Sequence, residues 1–178
     1  ILDEGEPDFT GADDAFKVLR AASFAQSYEE LLKTHRHLIK DTVIWNTEEG
    51  LALKGSDLAR AETERTELYH RVRRFMESYE FMIYPVSQVP PFDVTTPYIT
   101  EINGVKMDTY IDWMSSAYFI SVTGLPAISV PCGFTPGGLP VGIQIVGRYQ
   151  DDFGVLQMAH AFEEATGVWK RRPSVVDA

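Results

Sequence analysis

A length of 178 residues suits one ordinary domain and is short for a multidomain enzyme. With 44% hydrophobic, 12% aromatic and 24% charged residues, the chain can bury a sizeable core, which excludes wholesale disorder and fibrous repeats. Sixteen basic residues against 26 acidic ones give a net charge of −10, which repels phosphate backbones and anionic lipid surfaces, so nucleic acid is not an expected partner.

Residues 1–14 are acidic and carry Gly5, Pro7 and Gly11, the pattern of an irregular lead-in. From Asp13, the positions Phe16, Leu19, Ala22 and Phe24, then Tyr28, Leu31, Leu32, His35, Leu38 and Ile39, keep helical spacing, read as two helices. A linker is expected around Gly50 and Gly55. Ser56 can then cap a long helix with the stripe Leu58, Ala61, Leu68, Val72, Phe75, Met76 and Tyr79. Its other face is charged, and Glu67 and Arg71 stand four apart in the order that favours an ion pair. Residues 81–86 read as a short buried strand leaving at Pro85, Pro90 and Pro91 into a loop that reaches about residue 107. Asp108 or Thr109 caps the next helix, with Asp112 in capping-box position; Gly124 and Pro126 end it near Thr123. Strands over 127–132 and 140–146 follow, joined by a turn at 135–138, and their Ile and Val content predicts burial on both faces. A last helix begins near Asp151 or Asp152, buries Val155, Leu156, Ala159, Phe162 and Ala165, and stops at Gly167. The expected class is mixed α/β: N-terminal helices, then a small mixed sheet of about three strands flanked by helices.

Several chemistries find no foothold. The phosphate-cradling glycine patterns and the H-E-x-x-H metal helix are absent, and His35 and His37, two apart, point away from each other on a helix. His70 and His160 each stand alone as packed or hydrogen-bonded imidazoles, so no metal or other cofactor is expected. The one cysteine, Cys132, excludes an internal disulfide, implies a reducing, cytoplasmic compartment, and reads as a small buried hydrophobe at a strand end. No run approaches the roughly 18 apolar residues of a membrane span, since residues 117–134 are broken by Ser121, Thr123, Gly124, Pro126, Ser129 and Pro131. The start at Ile1, followed by acidic rather than basic residues, suggests a piece of something longer. Ser129 lacks a G-x-S-x-G elbow, and Ser115 and Ser116 lie between Met114 and Ala117 with no glycine turn beside them, so they read as helix residues.

One string is far more specific. Thr123-Gly124-Leu125-Pro126-Ala127-Ile128-Ser129-Val130-Pro131-Cys132-Gly133, followed by Gly138-Leu139-Pro140-Val141-Gly142-Ile143-Gln144-Ile145-Val146-Gly147, closely resembles the C-terminal part of amidase-signature enzymes. Gly55-Ser56-Asp57-Leu58-Ala59-Arg60-Ala61, Phe81-Met82-Ile83-Tyr84-Pro85 and the helix after Asp151-Asp152-Phe153 match the same family in order and spacing. The resemblance implies an α/β/α fold and carboxamide hydrolysis or transfer by a serine nucleophile, a second serine as proton relay and a lysine base. Those three belong to the half that precedes this segment in the family. None of Lys17, Lys33, Lys40, Lys54, Lys106 and Lys170 has the serine-glycine context, so no catalytic residue is assigned here.

In the family the helix before the Gly-Leu-Pro turn lines the acyl side of the substrate pocket. Counting back from Gly124 puts Ile111, Met114, Ser115 and Tyr118 on one helical face, as substrate-binding candidates or simply as core. Relatives that release ammonia from glutamine place a carboxylate near the Met114 position; Asp112 lies off that face, so an apolar or aromatic acyl group is expected. Three functions are therefore weighed. The first is the C-terminal part of an amidase, inactive alone and partnered by the missing N-terminal catalytic half and a small amide substrate. The second is a free-standing noncatalytic binding module or pseudoenzyme, and the third is part of the A subunit of a glutamine amidotransferase. Open sheet edges and exposed apolar area predict self-association into a homo-oligomer.

Overall fold

Three helices come first in the computed structural model, which describes residues 3–172: α1 (Ala12–His35), α2 (Asp41–Ala52) and α3 (Gly55–Phe75). The chain divides into two compact units, one ending at Val72 and one beginning at Arg73. Within the first, α1 carries Asp13 and Asp14 in its opening turn and Lys33 and His35 in its last, each facing the favourable end of the helix dipole. A single 3-10 turn, Arg36–Leu38, follows it.

The expected linker around Gly50 is instead the interior of α2. Gly50 is there for contact, not for a turn. A Cβ on it would lie 1.9 Å from the Ala21 carbonyl oxygen and 2.9 Å from the Ala25 Cβ, so α2 meets the small-residue face of α1 with its backbone almost touching. Sequence pattern reads a glycine as a break because the helix it must lie against is invisible locally.

α3 also starts differently. Asp57, rather than Ser56, supports its first turn, its carboxylate accepting the Lys54 N–H at 2.9 Å. The predicted stripe holds: Ala61, Leu68, Val72 and Met76 are buried, and Leu58, Phe75 and Tyr79 partly so. Arg71 is drawn away from Glu67 and pairs with Asp8 at 3.2 Å, also donating to the Thr10 carbonyl. Asp8 in turn accepts the Thr10 N–H, and its hydrogen bonds with Thr10 hold its carboxyl below the ordinary value.

The second unit contains β1 (Met82–Pro85), β2 (Glu101–Ile102), β3 (Val105–Lys106), α4 (Ser115–Thr123), β4 (Ala127–Phe134), β5 (Pro140–Val146) and α5 (Asp152–Thr166). Its main sheet has the order β1-β5-β4 with antiparallel pairings, and β2 pairs with β3 as a separate hairpin inside the expected loop. The hairpin turns through Asn103 and Gly104, both at positive φ, the pairing that a two-residue turn matching strand twist requires. Asn-Gly was the signal for it in the sequence.

Successive residues of β5 face opposite ways. Ile145 sits in one row with Ile83 and Ile128, and packs with Val130 and Ala159 in a core closed by Met158 and Phe162 of α5. Gln144 sits in the other row, with Tyr84 and Ser129. The expected burial of both strands on both faces is corrected: β5, central, is buried over Gln144–Val146, whereas β4 buries only Val130. An antiparallel edge strand is covered on one side and leaves the other to whatever approaches it.

α5 begins as expected, with Asp151 accepting the Gly154 N–H at 3.0 Å, and ends at Gly167. Its buried stripe is narrower than predicted: Val155 and Ala159 are buried and Phe162 partly, but Leu156 and Ala165 are exposed. A helix touching a sheet along one line buries only the positions that face that line.

The Gly50 contact generates a test. Alanine in a helix interior normally gains about 1 kcal/mol over glycine; overpacking typically costs about 1–3 kcal/mol and occasionally more. With backbone atoms inside the new methyl's radius, overpacking wins. Gly50→Ala is expected to lower the stability of the helical unit by about 1–2 kcal/mol in urea unfolding, and an unchanged or raised midpoint contradicts the close crossing.

Candidate functional site

β1 ends in Pro85, and the chain leaves the sheet through Ser87, Gln88, Pro90 and Pro91. Proline fixes φ and gives no backbone donor, and after Pro85 the chain bends away over residues 86–89 instead of prolonging the strand. Residues 85–92 form one wall of a cavity of about 600 Å³, residues 140–143 of β5 a second, and Trp113 and Cys132 complete it. That volume lies in the range of small-molecule sites.

The walls are mostly apolar. Phe92 and Trp113 meet edge to face, ring centroids 5.4 Å apart at 82°. Cys132 lies at a bulge: Pro131 pairs with Gly142 and Gly133 with Val141, leaving the residue between them out of register. Its free thiol is half-buried in the cavity wall rather than packed in a core. Polar character in the lining comes from Ser87, Gln88, this thiol and the Trp113 indole; no charged side chain is among the lining residues.

A network of amides and hydroxyls holds the walls together. Gln144 is buried, and its Nε2 donates to the Pro85 carbonyl at 3.2 Å and the Ser116 carbonyl at 2.6 Å. Ser116 Oγ donates to the Val86 carbonyl at 3.2 Å. Ser115 donates twice to Gln88 Oε1, from its backbone N–H at 2.7 Å and from Oγ at 2.8 Å. The central strand, the proline-rich loop and the first turn of α4 are thereby joined by side chains far apart in sequence. Ser115 and Ser116 are the helix residues they were expected to be.

The predicted site residues are distributed as follows. Ile111 is 1% exposed and Tyr118 5% exposed, both within the core, while Met114 and Ser115 are partly buried. Counting back from Gly124 assumes one continuous α-helix, but Asp112–Met114 form a 3-10 turn and α4 begins only at Ser115. The spacing of Ile111 and Met114 relative to Tyr118 is therefore not that of a single α-helical face. Ser115 touches the cavity's rim through Gln88. Trp113, which the face arithmetic passed over, lines the cavity, and its only signal in the sequence was an aromatic beside the predicted face. The predicted Thr109–Asp112 pair forms: the carboxylate accepts the Thr109 N–H at 2.7 Å and the Thr109 hydroxyl at 3.0 Å.

Among the described residues no group of three or more His, Cys, Asp and Glu side chains could hold a metal ion, and no helix is long and apolar enough to cross a membrane. Tyr84, in the row of Gln144, has its phenol pushed above the ordinary value of 10.0 by burial.

Gln144→Leu removes the side-chain donor shared by the Pro85 and Ser116 carbonyls; Ser116 keeps its bond within α4, and a buried carbonyl left unsatisfied, as at Pro85, costs about 1–3 kcal/mol. A loss of about 2 kcal/mol in the sheet unit's denaturation is expected, and a neutral substitution would remove the network's structural role. Gln144→Glu should lose more stability as pH rises, because a protonated carboxyl can still donate to one carbonyl and a carboxylate repels both. Tyr84 has the same sign: with its folded value above the unfolded one, its contribution is intact below the unfolded value and declines as pH rises through the folded one. Ultraviolet difference titration of the chain and of Tyr84→Phe is expected to assign a late-ionising phenol to this residue.

The comparisons agree with this architecture. In solved structures, an amidase superposes with a TM-score of 0.81 at 23% identity, covering 90% of this chain and 37% of that one. A 6-aminohexanoate cyclic dimer hydrolase gives 0.80 at 19% identity, covering 98% and 39%, and a bacterial aryl acylamidase of the amidase signature family gives 0.77 at 24%, covering 95% and 36%. In sequence, the A subunit of glutamyl-tRNA(Gln) amidotransferase from Thermodesulfovibrio yellowstonii is 36% identical over 117 residues, 64% of this chain and 22% of that protein. Its counterpart in Brevibacillus brevis is also 36% identical over 117 residues, 66% of this chain and 23% of that protein. The chain thus spans less than a quarter of the length of these curated relatives. The family model described as Amidase matches residues 9–156, taking in α1 to α4, the Gln144-bearing sheet and the cavity walls, and the chain belongs to the amidase-signature family.

Proposed function

We propose that this chain is the C-terminal part of an amidase that hydrolyses carboxamide C–N bonds, supplying scaffold and one wall of the substrate pocket, while the catalytic Ser-Ser-Lys set stands in preceding sequence. Family membership and the 22% share of a curated relative's length support this division. The observation that carries it is the cavity itself: small-molecule sized, walled by an aromatic pair and prolines, without a charged side chain in its lining. Such a site receives the apolar or aromatic acyl side of an amide and offers a cationic group no counter-ion. Ile111, Met114, Ser115 and Tyr118 would then back this wall, and the remainder of the parent protein would cover apolar residues such as Val94, 97% exposed, and Phe153, 71% exposed. In the chain alone those residues favour association with a further copy.

In the parent the chemistry follows the family pattern. A neutral lysine draws the nucleophile's proton through a bridging serine, the serine attacks the carbonyl carbon, and glycine-rich backbone amides hold the oxyanion. Nothing in that sequence of steps requires a residue of this chain. Its contribution is to orient the acyl group.

A second reading has a specific observation in its favour: the curated relatives named above are amidotransferase subunits. Against it, Met114 stands where the family resemblance leads one to expect a carboxylate for a glutamine substrate, and Asp112 is engaged by Thr109. The test is to express the chain joined to the reading frame upstream of Ile1 and compare hydrolysis of an aryl amide with release of ammonia from glutamine. Aryl amide turnover by the joined protein and none by the 178-residue chain is expected. Hydrolysis by the chain alone, abolished by a point substitution within it, overturns the proposal; preferential glutaminase activity selects the second reading.

A further inference from the structure

Gln88 is the polar group in the cavity lining whose orientation is dictated by its neighbours. The two ends of a glutamine amide are easily confused, but here one partner settles them: a backbone N–H can only donate, so the atom 2.7 Å from the Ser115 nitrogen must be the oxygen. The Ser115 hydroxyl donates to the same oxygen at 2.8 Å. Ser115 opens α4, so this oxygen rests at the positive end of the helix, and its bonds polarise the amide toward stronger donation from the opposite end. Gln88 is exposed at the cavity rim, and with Oε1 engaged its Nε2 hydrogens are the hydrogen-bonding capacity it can offer to a ligand seated there.

We propose that Gln88 is a specificity-determining donor that selects ligands joining an aromatic ring to an uncharged acceptor oxygen, with Ser115 as its positioning residue. The ring would lie against the Phe92–Trp113 pair and the oxygen would accept from Gln88 Nε2. A cation meets a donor where it needs an acceptor. A carboxylate can accept, but must leave water for an apolar site in a chain of net charge −10 with no cation in the lining. The inference rests on the amidase reading only in taking the cavity as substrate-facing.

The test follows the Trp113 indole N–H, one of three tryptophan signals, assigned with Trp113→Phe, in proton–nitrogen correlation spectra of the chain titrated with acetophenone, benzamidine and benzoate. Acetophenone is expected to bind best. Gln88→Met, close in length but without donors, should weaken it about fivefold, the scale of one neutral hydrogen bond. Gln88→Glu can keep both Ser115 bonds while replacing the donor end with an acceptor, so it should weaken acetophenone similarly and strengthen benzamidine. Ser115→Ala, which removes one of the two bonds holding the amide, should weaken acetophenone less than Gln88→Met and leave benzamidine unchanged. If acetophenone still shifts Trp113 and binds Gln88→Met and Gln88→Glu as tightly as the unaltered chain, the donor role is overturned while the amidase reading stands. If none of the three probes moves Trp113 in the folded chain, the cavity does not face substrate, and both this inference and the pocket-wall part of the reading fail.

Discussion

A buried amide needs partners for its hydrogens, and Gln144 finds them on two different elements, the end of β1 and the first turn of α4. The strength of this arrangement lies in its asymmetry. A satisfied buried hydrogen bond contributes only about 1 kcal/mol net, but each abandoned carbonyl costs as much or more. Helix, loop and strand are consequently held in one relative placement more firmly than the number of bonds suggests. Everything at the cavity follows: the loop after Pro85 cannot drift from α4, and Ser116 and Ser115 can reach Val86 and Gln88 because Gln144 has already brought their backbones together.

The cavity shows the economy of that design. Its walls come from a loop whose prolines keep it out of the sheet, from the start of the central strand and from a bulge that turns Cys132 out of register. These are places where regular hydrogen bonding stops, and they are also where side chains can be aimed into a cavity rather than into a core. Ile145, Val130 and Ala159 make the apolar contact that stabilises the unit, and Ile143, which lines the cavity, also packs against that core. Alternation along β5 sends Ile145 toward the α5 core and the Gln144 amide toward the first turn of α4.

The helical unit obeys a different constraint, close approach. Gly50 against Ala21 and Ala25 allows two helices to meet where any side chain would hold them apart. Arg71 answers a related problem: it leaves the charged face it shares with Glu67 and fastens the irregular lead-in through Asp8 and Thr10, which have no strand or helix of their own to join.

Much of this was legible in the amino-acid order. The apolar stripe of α3, the strands around Ile83, Val130 and Ile145, the Asp151 cap, the stop at Gly124 and the family string from Thr123 to Gly147 are local patterns, set by period, cap chemistry and the rarity of such a string by chance. The expected stripe of α1, by contrast, is corrected: that helix buries Ala12, Ala15, Ala21 and Leu32 and leaves Leu31 exposed. What the sequence could not determine was every feature that depends on a neighbour distant along the chain. Gly50 read as a break until α1 stood against it, Leu156 read as core until the sheet met only one line of α5, and Ile111, Met114, Ser115 and Tyr118 read as one face until a 3-10 turn changed their spacing. Trp113 and Gln88 acquired a role only when the loop, the bulge and the helix start converged. Periodicity is written into consecutive residues, whereas convergence is decided by which backbones the buried Gln144 amide and the Ile145 core bring within reach of one another.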